Sequence, residues 1–217
     1  MNIPKQNKFY MPPEWGLHEN CWMQWPHKNN NINSYEEIPS WSNFNINKGH
    51  IAWSNVAKSI CKYEKVKMIV HSDDIIKASD LLNDKNIEII NFNNDDCWAR
   101  DSGAIFLLNN KKELGGVDSE FNGWGKFKPF DSDNKIAKMM IDMNQAHYFK
   151  NDMILEGGSI HVDGQGTLLT TEQCLLNKNR NPDLTKKEIE DKLKDFLGVS
   201  KIIWLKHGID EGTDGHI

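Results

Sequence analysis

Apolar positions along the chain follow two spacings, one typical of short buried strands and the other of amphipathic helices. Short apolar runs predict strands at 19–25, 65–70, 87–92 and 104–108, and further strands near 113–118, 146–149, 159–163, 167–171 and 201–205. Helical spacing predicts helices at His50–Tyr63, from Ser72 through Leu82, at 133–143 and from Thr185 to Gly198. Strands and helices therefore alternate, which is the pattern of an α/β protein.

Two of the predicted helices carry recognisable end signals. Ser72 is a candidate N-cap, because its hydroxyl oxygen can accept from a free amide of the first turn. Thr185 and Glu188 have the spacing of a capping box, and Gly198 is placed to end the same helix. Residues 29–47 are rich in Asn and Ser without any period, so they are predicted to form a loop.

The order of elements suggests an internal repeat. Two or three strand–strand–helix–strand units of about 60–70 residues can be drawn through the pattern, although the units share no sequence identity. No linker or change of composition divides the chain. We therefore expect residues 1–217 to form a single domain.

The amino-acid composition of the chain argues against several classes of function. The net charge of −5 argues against a nucleic-acid partner and weakly favours a cationic substrate. No apolar stretch approaches the ~20 residues of a membrane span, so a membrane partner is not expected. The four cysteines form no CxxC pair, which argues against a thiolate zinc site and for reduced thiols in a cytoplasmic protein.

Three polar clusters follow predicted strands, and each has a structural as well as a functional interpretation. Residues 94–103 combine carboxylates, an arginine and a tryptophan, where a loop could also use the charges for solvation. Residues 156–163 begin with Glu-Gly-Gly, which allows close approach to a ligand but also suits a bulge or tight turn. Residues 210–216 place acidic residues beside a histidine, as a turn, a metal site or an acid/base centre would.

Carboxylates, a tryptophan and a histidine suit chemistry on a guanidinium group. This planar cation forms two-pronged hydrogen bonds with carboxylates and stacks on aromatic faces. Its carbon is a poor electrophile, so hydrolysis needs a strong nucleophile such as a thiolate. A histidine can then protonate the departing nitrogen and later activate water.

The clusters together resemble the agmatine deiminases, relatives of the bacterial peptidylarginine deiminases within the guanidine-modifying superfamily. The similarity begins with MPPEW and CWMQWPH, and continues with NDDCWARDSG. It extends through EGGSIHVDGQGTLLTTEQCLLNKNRNP to WLKHGIDEGTDGHI, in order across essentially the whole chain. The long block that starts at the Glu-Gly-Gly motif is the most specific part.

The resemblance implies a fold and roles for particular residues. The fold would be a five-bladed α/β propeller (pentein) of ββαβ-like units, of which this chain supplies about three blades as an incomplete catalytic domain. Asp101 would bind the guanidinium and Trp98 would line the pocket beside it. Glu156 would hold another face of the substrate and orient the histidine, while His216 would be the general acid/base and Asp214 would assist.

The resemblance also implies the reaction and what the chain lacks. Agmatine and water would give N-carbamoylputrescine and ammonia through a covalent amidino-cysteine, in putrescine (polyamine) biosynthesis, without a metal or organic cofactor. Family members have a second guanidinium-binding aspartate just beyond the position of Ile217, and a nucleophilic cysteine in a later Asn-x-His-Cys segment. None of the four cysteines has that context, so we expect this chain alone to be inactive, as after an incomplete gene call.

Three alternatives remain open at this stage. A metal hydrolase would use a ligand set drawn from Glu156, His161, Asp163, Asp214 and His216. A non-catalytic guanidine binder would keep the carboxylates without turnover. A third alternative changes the substrate to arginine or peptidyl-arginine, although the presence of only Arg100 and Arg180 favours agmatine, which has no carboxylate. A homo-oligomer of the full-length parent is also left open.

Overall fold

The computed structural model describes residues 2–27, 45–126, 128–209 and 214–217. Contacts between residues group the chain into two compact units. The smaller unit comprises Leu17–Ala99 and Phe127–Asp133, and the larger comprises Met1–Gly16, Arg100–Lys126 and Asn134–Ile217. The prediction of one domain over residues 1–217 stays a prediction. Within the described ranges, no helix is both long and apolar enough to cross a membrane.

The smaller unit contains a three-stranded, wholly parallel sheet. Its strands β1 (Asn20–Gln24), β2 (Lys65–Val70) and β3 (Ile87–Asn91) lie in the order β1-β2-β3. Helix α1 (Ile46–Ile60) lies between the first two strands in the chain, and α2 (Ile75–Leu81) lies between the next two. Two neighbouring parallel strands must be joined by a crossover connection, which is usually a helix. The sheet therefore has the order β-α-β-α-β rather than the predicted strand–strand–helix–strand order.

Side chains of the central strand β2 form the middle of this unit's core. Val66, Met68 and Val70 are fully buried, at alternate positions that point to one face of the sheet. They belong to a cluster that also contains Trp25, Ala57, Cys61, Ala78 and Leu82. Burial of this apolar surface fixes the register of the parallel strands.

Two predicted helix boundaries in the smaller unit are wrong. The loop predicted over 29–47 ends early, because Asn45 accepts hydrogen bonds from the amides of Asn47 and Lys48 and starts α1 at Ile46; residues 29–44 of that loop lie outside the described residues. Ser72 is not an N-cap. The ring of His71 accepts from the Asp73 amide instead and starts a 3₁₀ turn that precedes α2.

Helix α3 (Ala99–Ser102) leads into the first sheet of the larger unit. Strand β4 (Ile105–Leu108) pairs antiparallel with β5 (Leu114–Glu120), which pairs parallel with β6 (His147–Ile154). Helix α4 (Ile136–Met143) supplies the crossover between the two parallel strands. Strand β6 is longer than the predicted 146–149, because its polar continuation still pairs with the end of β5.

The second sheet of the larger unit repeats this order. Strands β7 (Ile160–Val162) and β8 (Thr167–Thr171) are antiparallel, and β9 (Lys201–Leu205) pairs parallel with β8. Helices α5 (Glu172–Leu175) and α6 (Lys186–Leu197) lie between β8 and β9 in the chain. The two sheets thus both have the predicted strand–strand–helix–strand order. Their role as blades of a propeller stays a prediction.

Helix α6 shows the predicted capping chemistry at both ends. The Thr185 hydroxyl accepts from the Glu188 amide while the Glu188 carboxylate accepts from the Thr185 amide, so the capping box is confirmed. Gly198 follows the helix with φ of 67°, a left-handed conformation that favours glycine. The buried face of the helix joins a core that contains Ile105, Leu107, Val117, Phe149, Met153, Leu168, Ile189, Leu193, Phe196 and Leu197.

Asp133 gives the smaller unit an expected pH dependence. Its Oδ1 atom accepts from Gln24 Nε2 at 3.1 Å and from the Asp95 amide at 2.9 Å. Burial, reinforced by the neighbouring Asp96 and Asp95, raises the pKa of Asp133 to about 8. The folded-state pKa is above the ~3.9 of an unfolded aspartate. The stabilising contribution of protonated Asp133 is therefore complete below pH ~3.9, and it is lost as pH rises through the folded-state pKa.

The Asp133→Asn variant should therefore resist alkaline pH better than the wild type. Asparagine keeps the acceptor oxygen for both donors and removes the buried charge. At pH near 9 we expect the variant to gain at least ~1 kcal/mol in free energy of unfolding relative to the wild type, and less at pH near 5. Urea unfolding followed by tryptophan fluorescence at both pH values measures this. Parallel pH profiles for the two proteins would contradict the assignment.

Candidate functional site

Asp101 is a buried carboxylate held from two sides. Its Oδ1 atom accepts from the Gly158 amide at 2.8 Å, and its Oδ2 atom accepts from Trp124 Nε1 at 3.0 Å. Burial raises the pKa of Asp101, although these two hydrogen bonds oppose the shift. The two donors fix the plane of the carboxylate, as recognition of a planar cation requires.

Glu156 lies just beyond β6, separated from Ile154 by Leu155, and is completely buried. Its Oε1 atom accepts from Arg180 Nε at 2.5 Å. Burial raises the pKa of Glu156, while the charge of Arg180 acts in the opposite direction. A buried carboxylate without such a partner would be costly, so the arginine explains how this glutamate is accommodated.

The two glycines after Glu156 allow the backbone to pass close to other parts of the larger unit. A Cβ atom on Gly157 would collide with the carbonyl oxygen of Arg100. One on Gly158 would lie 2.5 Å from Asp101 Oδ1 and 2.6 Å from His216 Nδ1. The Glu-Gly-Gly motif therefore provides close approach to the predicted site residues themselves.

His216 lies between the two buried carboxylates. Its Nδ1 atom is 3.9 Å from Asp101 Oδ1, and its Nε2 atom is 4.0 Å from Glu156 Oε2. Burial lowers the pKa of His216, with Glu156 opposing the shift, so the neutral imidazole is favoured near neutral pH. Among the described residues, Nε2 is buried and has no hydrogen-bond partner. A neutral, partly unsatisfied imidazole is suited to accept and return a proton.

Asp214 lies behind this group and is bound by three donors. They are Lys126 Nζ at 2.5 Å, Asn179 Nδ2 at 3.0 Å and Arg180 Nη1 at 3.0 Å. Burial alone would raise the pKa of Asp214, but the hydrogen bonds from the three donors hold it below its ordinary value. Asp214 is therefore an ionised carboxylate whose oxygens are engaged by the protein.

Two residues of this cluster were missed by the sequence predictions. Arg180 is fully buried and joins Glu156 to Asp214, with Nη1 also donating to Asn179 Oδ1 at 2.7 Å. The sequence suggested it only as a partner for a substrate carboxylate. Trp124, the donor to Asp101, lies between two glycines with φ of 56°. The flanking glycines were the available signal of an unusual turn.

Trp98, the remaining predicted site residue, belongs to the smaller unit. Its ring packs edge-on against that of Trp53, with centroids 5.8 Å apart and planes at 72°. Its predicted role in lining a substrate pocket stays a prediction.

The four cysteines all have pKa values raised chiefly by burial: Cys21, Cys61, Cys97 and Cys174. Cys174 also lies next to the candidate site, with Sγ 4.0 Å from Glu156 Oε2, and that carboxylate raises its pKa further. A nucleophilic cysteine needs a lowered pKa. The environments of these four thiols therefore favour the unreactive, protonated form.

The five-residue ligand set of the metal hydrolase alternative does not form among the described residues. The ring of His161 lies near that of Trp15, with centroids 6.2 Å apart. Asp163 accepts from the amides of Gln165 and Thr167 and so closes the turn between β7 and β8. Near Glu156, the described groups that could share an ion are only Cys174 and His216.

Buried acids around a neutral histidine are thus the defining feature of the site. Comparisons with known proteins identify the family of the chain. A model of the Porphyromonas-type peptidyl-arginine deiminase family matches residues 10–217. The chain belongs to this family. The predicted resemblance to the agmatine deiminases, relatives within this peptidyl-arginine deiminase family, is confirmed by individual proteins.

Among these relatives, a protein of Legionella pneumophila (strain Paris), provisionally named an agmatine deiminase, is 46% identical over 216 residues, which are 99% of this chain and 60% of the relative. The agmatine deiminase of Pseudomonas aeruginosa (strain LESB58) is 41% identical to this chain. The match covers 100% of this chain and 58% of the length of that relative. The solved structure of agmatine deiminase from Enterococcus faecalis superposes with a TM-score of 0.87 at 38% identity and is covered over 58% of its length. The chain thus spans somewhat under two thirds of these peptidyl-arginine deiminase family members.

Proposed function

We propose that this chain provides the guanidinium-binding and acid/base groups of an agmatine deiminase. The observation that carries the proposal is the convergence of two buried carboxylates, Asp101 and Glu156, on His216 within 4.0 Å. A substrate cation would neutralise the carboxylates, and the histidine would lie beside the carbon that reacts. The names of the relatives support the same activity.

The engagement of both arginines supports agmatine over substrates that carry a carboxylate. Arg100 forms an ion pair with Glu14, and the buried Arg180 is bound to Glu156 and Asp214. Neither guanidinium is therefore held ready for the α-carboxylate of arginine. Agmatine has no such group, so its recognition does not require an unengaged arginine.

In the proposed mechanism, a thiol supplied from outside these 217 residues gives its proton to the neutral imidazole of His216, and the resulting thiolate attacks the guanidinium carbon. The C–N bond to a terminal nitrogen breaks, and this nitrogen leaves as ammonia after accepting a proton from His216. The imidazole then takes a proton from water, whose oxygen attacks the amidino-cysteine carbon. The C–S bond breaks to release N-carbamoylputrescine, and the imidazolium returns its proton to the departing thiolate, so both groups regain their starting forms. Neither a metal nor an organic cofactor is needed.

Two features of the chain support these roles. The four cysteines of the chain are buried thiols with raised pKa values, so none of them is suited to be the attacking thiolate. The lowered pKa of His216 supplies a neutral base at the start of each half-reaction. Because the product keeps the putrescine skeleton, we assign the reaction to putrescine synthesis, where a second hydrolysis would remove the carbamoyl group.

Calorimetric titration with agmatine tests this proposal on the chain itself. We expect binding without ammonia release, and about tenfold weaker binding to Asp101→Asn, which removes one charge–charge contact worth ~1.4 kcal/mol. Arginine and acetyl-arginine amide should bind more weakly than agmatine. Asp152→Asn is the matched control, since that aspartate is 66% exposed and pairs with Lys192 on the surface.

Three outcomes would count against the proposal. Equal affinity of the wild type and Asp101→Asn would remove Asp101 from the binding site. Tighter binding of arginine would contradict agmatine as the substrate. Release of ammonia by the chain, lost in Asp101→Asn, would show that one of its own groups replaces the external thiol.

A further inference from the structure

We propose that the smaller unit contains a binding site for a divalent transition-metal ion, formed by His27, His71 and Asp73 and oriented by Asp74. The site shares no residue with the proposed agmatine site, and it does not depend on the proposed function.

The strand order brings the two histidines together. His27 follows β1, and His71 directly follows β2. These strands are parallel neighbours in which Gln24 is paired with Ile69, so their carboxyl ends meet at one edge of the sheet. Both side chains are mostly buried, with exposed fractions of 14% and 17%. The fold thus holds two imidazoles at a fixed place rather than on a mobile surface.

The two rings are stacked in van der Waals contact. Their centroids are 3.8 Å apart and their planes differ by 12°. Imidazole nitrogens are common ligands of transition-metal ions, and this contact keeps two of them side by side. One ligand atom from each of His27, His71 and Asp73 lies within 4.8 Å of the other two.

Hydrogen bonds of the two histidines determine which nitrogens can face an ion. Asp74 Oδ2 lies 2.6 Å from His27 Nδ1, which places the proton on Nδ1 and leaves the lone pair on Nε2. A carboxylate behind a histidine in this way is typical of metal-binding sites. His71 Nδ1 accepts from the Asp73 amide at 3.2 Å and lies 3.6 Å from Asp73 Oδ2, so an ion bound at this nitrogen would replace that hydrogen bond and lie beside the third ligand.

Binding of an ion requires the donor atoms to move closer together, and the Asp73 side chain is free to make such a movement. Ligands of a tetrahedral ion lie about 2.0–2.2 Å from the metal, so the three donor atoms must draw closer together. The Asp73 side chain is 75% exposed and can rotate toward the histidines without disturbing the core. Two imidazole nitrogens and one carboxylate suit Zn²⁺, Co²⁺ or Ni²⁺ better than Mg²⁺ or Ca²⁺, which prefer oxygen ligands.

A second trio with close donor atoms, Glu156, Cys174 and His216, is less suited to an ion. Glu156 is already bound by Arg180 at 2.5 Å, and burial keeps the Cys174 thiol protonated. A Co²⁺ probe distinguishes the histidine site from this trio. Thiolate ligation produces a sulfur-to-cobalt charge-transfer band, whereas nitrogen and oxygen ligands do not produce one.

Titration of the tag-free chain with Co²⁺, followed by its visible absorption and by competition with Zn²⁺, tests the site. We expect one equivalent to bind without the charge-transfer band. His71→Gln should weaken binding at least tenfold, and Asp73→Asn should weaken it several-fold at an exposed position that does not endanger folding. His18→Gln, an exposed histidine of the same unit, is the matched control and should bind like the wild type.

Asp74→Asn is expected to weaken Co²⁺ binding less than His71→Gln does, because Asp74 orients a ligand without contacting the ion. Circular dichroism of each variant checks that the fold is intact. The proposal is overturned if the wild type binds no Co²⁺ or Zn²⁺, or if folded His71→Gln and Asp73→Asn bind as tightly as the wild type. A charge-transfer band that disappears in Cys174→Ser would also overturn it.

Discussion

Replacing Arg180 with methionine is expected to lower the free energy of unfolding by about 3–5 kcal/mol. Methionine fills most of the volume of the arginine stem but carries no charge. Glu156, which is completely buried, would lose its 2.5 Å partner, and Asp214 would lose one of its three donors. An unpaired buried carboxylate is among the largest single destabilising effects known in proteins. Urea unfolding followed by tryptophan fluorescence measures the loss.

Arg100→Met is the matched control for this prediction. Arg100 also forms an ion pair, with Glu14, but its side chain is 45% exposed, so the change should cost no more than ~1 kcal/mol. Combining Arg180→Met with Glu156→Gln should recover part of the loss, since the variant then buries no unpaired glutamate. A cost for Arg180→Met as small as that for Arg100→Met would contradict the role of the buried pair.

Alanine in place of Gly158 is expected to weaken agmatine binding more than a hundredfold, a loss of ~2.7 kcal/mol or more. The added Cβ would lie 2.5 Å from Asp101 Oδ1 and 2.6 Å from His216 Nδ1. Both side chains would have to move, and Asp101 would lose its 2.8 Å hydrogen bond from the Gly158 amide. One methyl group thus displaces a proposed guanidinium ligand and the proposed acid/base together.

Calorimetry with agmatine measures this effect, and circular dichroism checks the fold of the variant. Gly16→Ala is the control in the same unit, because its Cβ would meet only the Pro13 carbonyl oxygen, at 3.1 Å. It should bind agmatine like the wild type. Binding by Gly158→Ala within a few-fold of the wild type would show that Asp101 and His216 do not line the agmatine site.

Much of the fold follows from local sequence signals. The capping box at Thr185 and Glu188 and the glycine at 198 mark the ends of α6, because each acts within one turn of the helix. The prediction failed at the start of α1, which Asn45 caps, and before α2, where the ring of His71 caps a 3₁₀ turn. Histidine is an uncommon capping residue, so the hydroxyl of Ser72 was the stronger sequence signal.

Some residues of the candidate site could likewise be predicted from the sequence, and others could not. Asp101, Glu156 and His216 stand in motifs, and the larger unit brings each of the two carboxylates within 4.0 Å of His216. Arg180 and Trp124 could not be assigned, because their partners are 24 and 23 residues away in the chain and are set by the packing of separate strands. Local patterns predict elements, whereas ion pairs between distant segments depend on the complete fold.

The burial of Asp101 and Glu156 is expected to couple the proposed binding of agmatine to proton release. Both carboxyl groups have pKa values raised by burial in the substrate-free protein, so each retains a larger share of protons than an exposed acid. A guanidinium cation beside them favours their ionised forms and lowers those pKa values. Protons should therefore pass to the solution when agmatine binds, and we expect the heat of binding to depend on the ionisation enthalpy of the buffer.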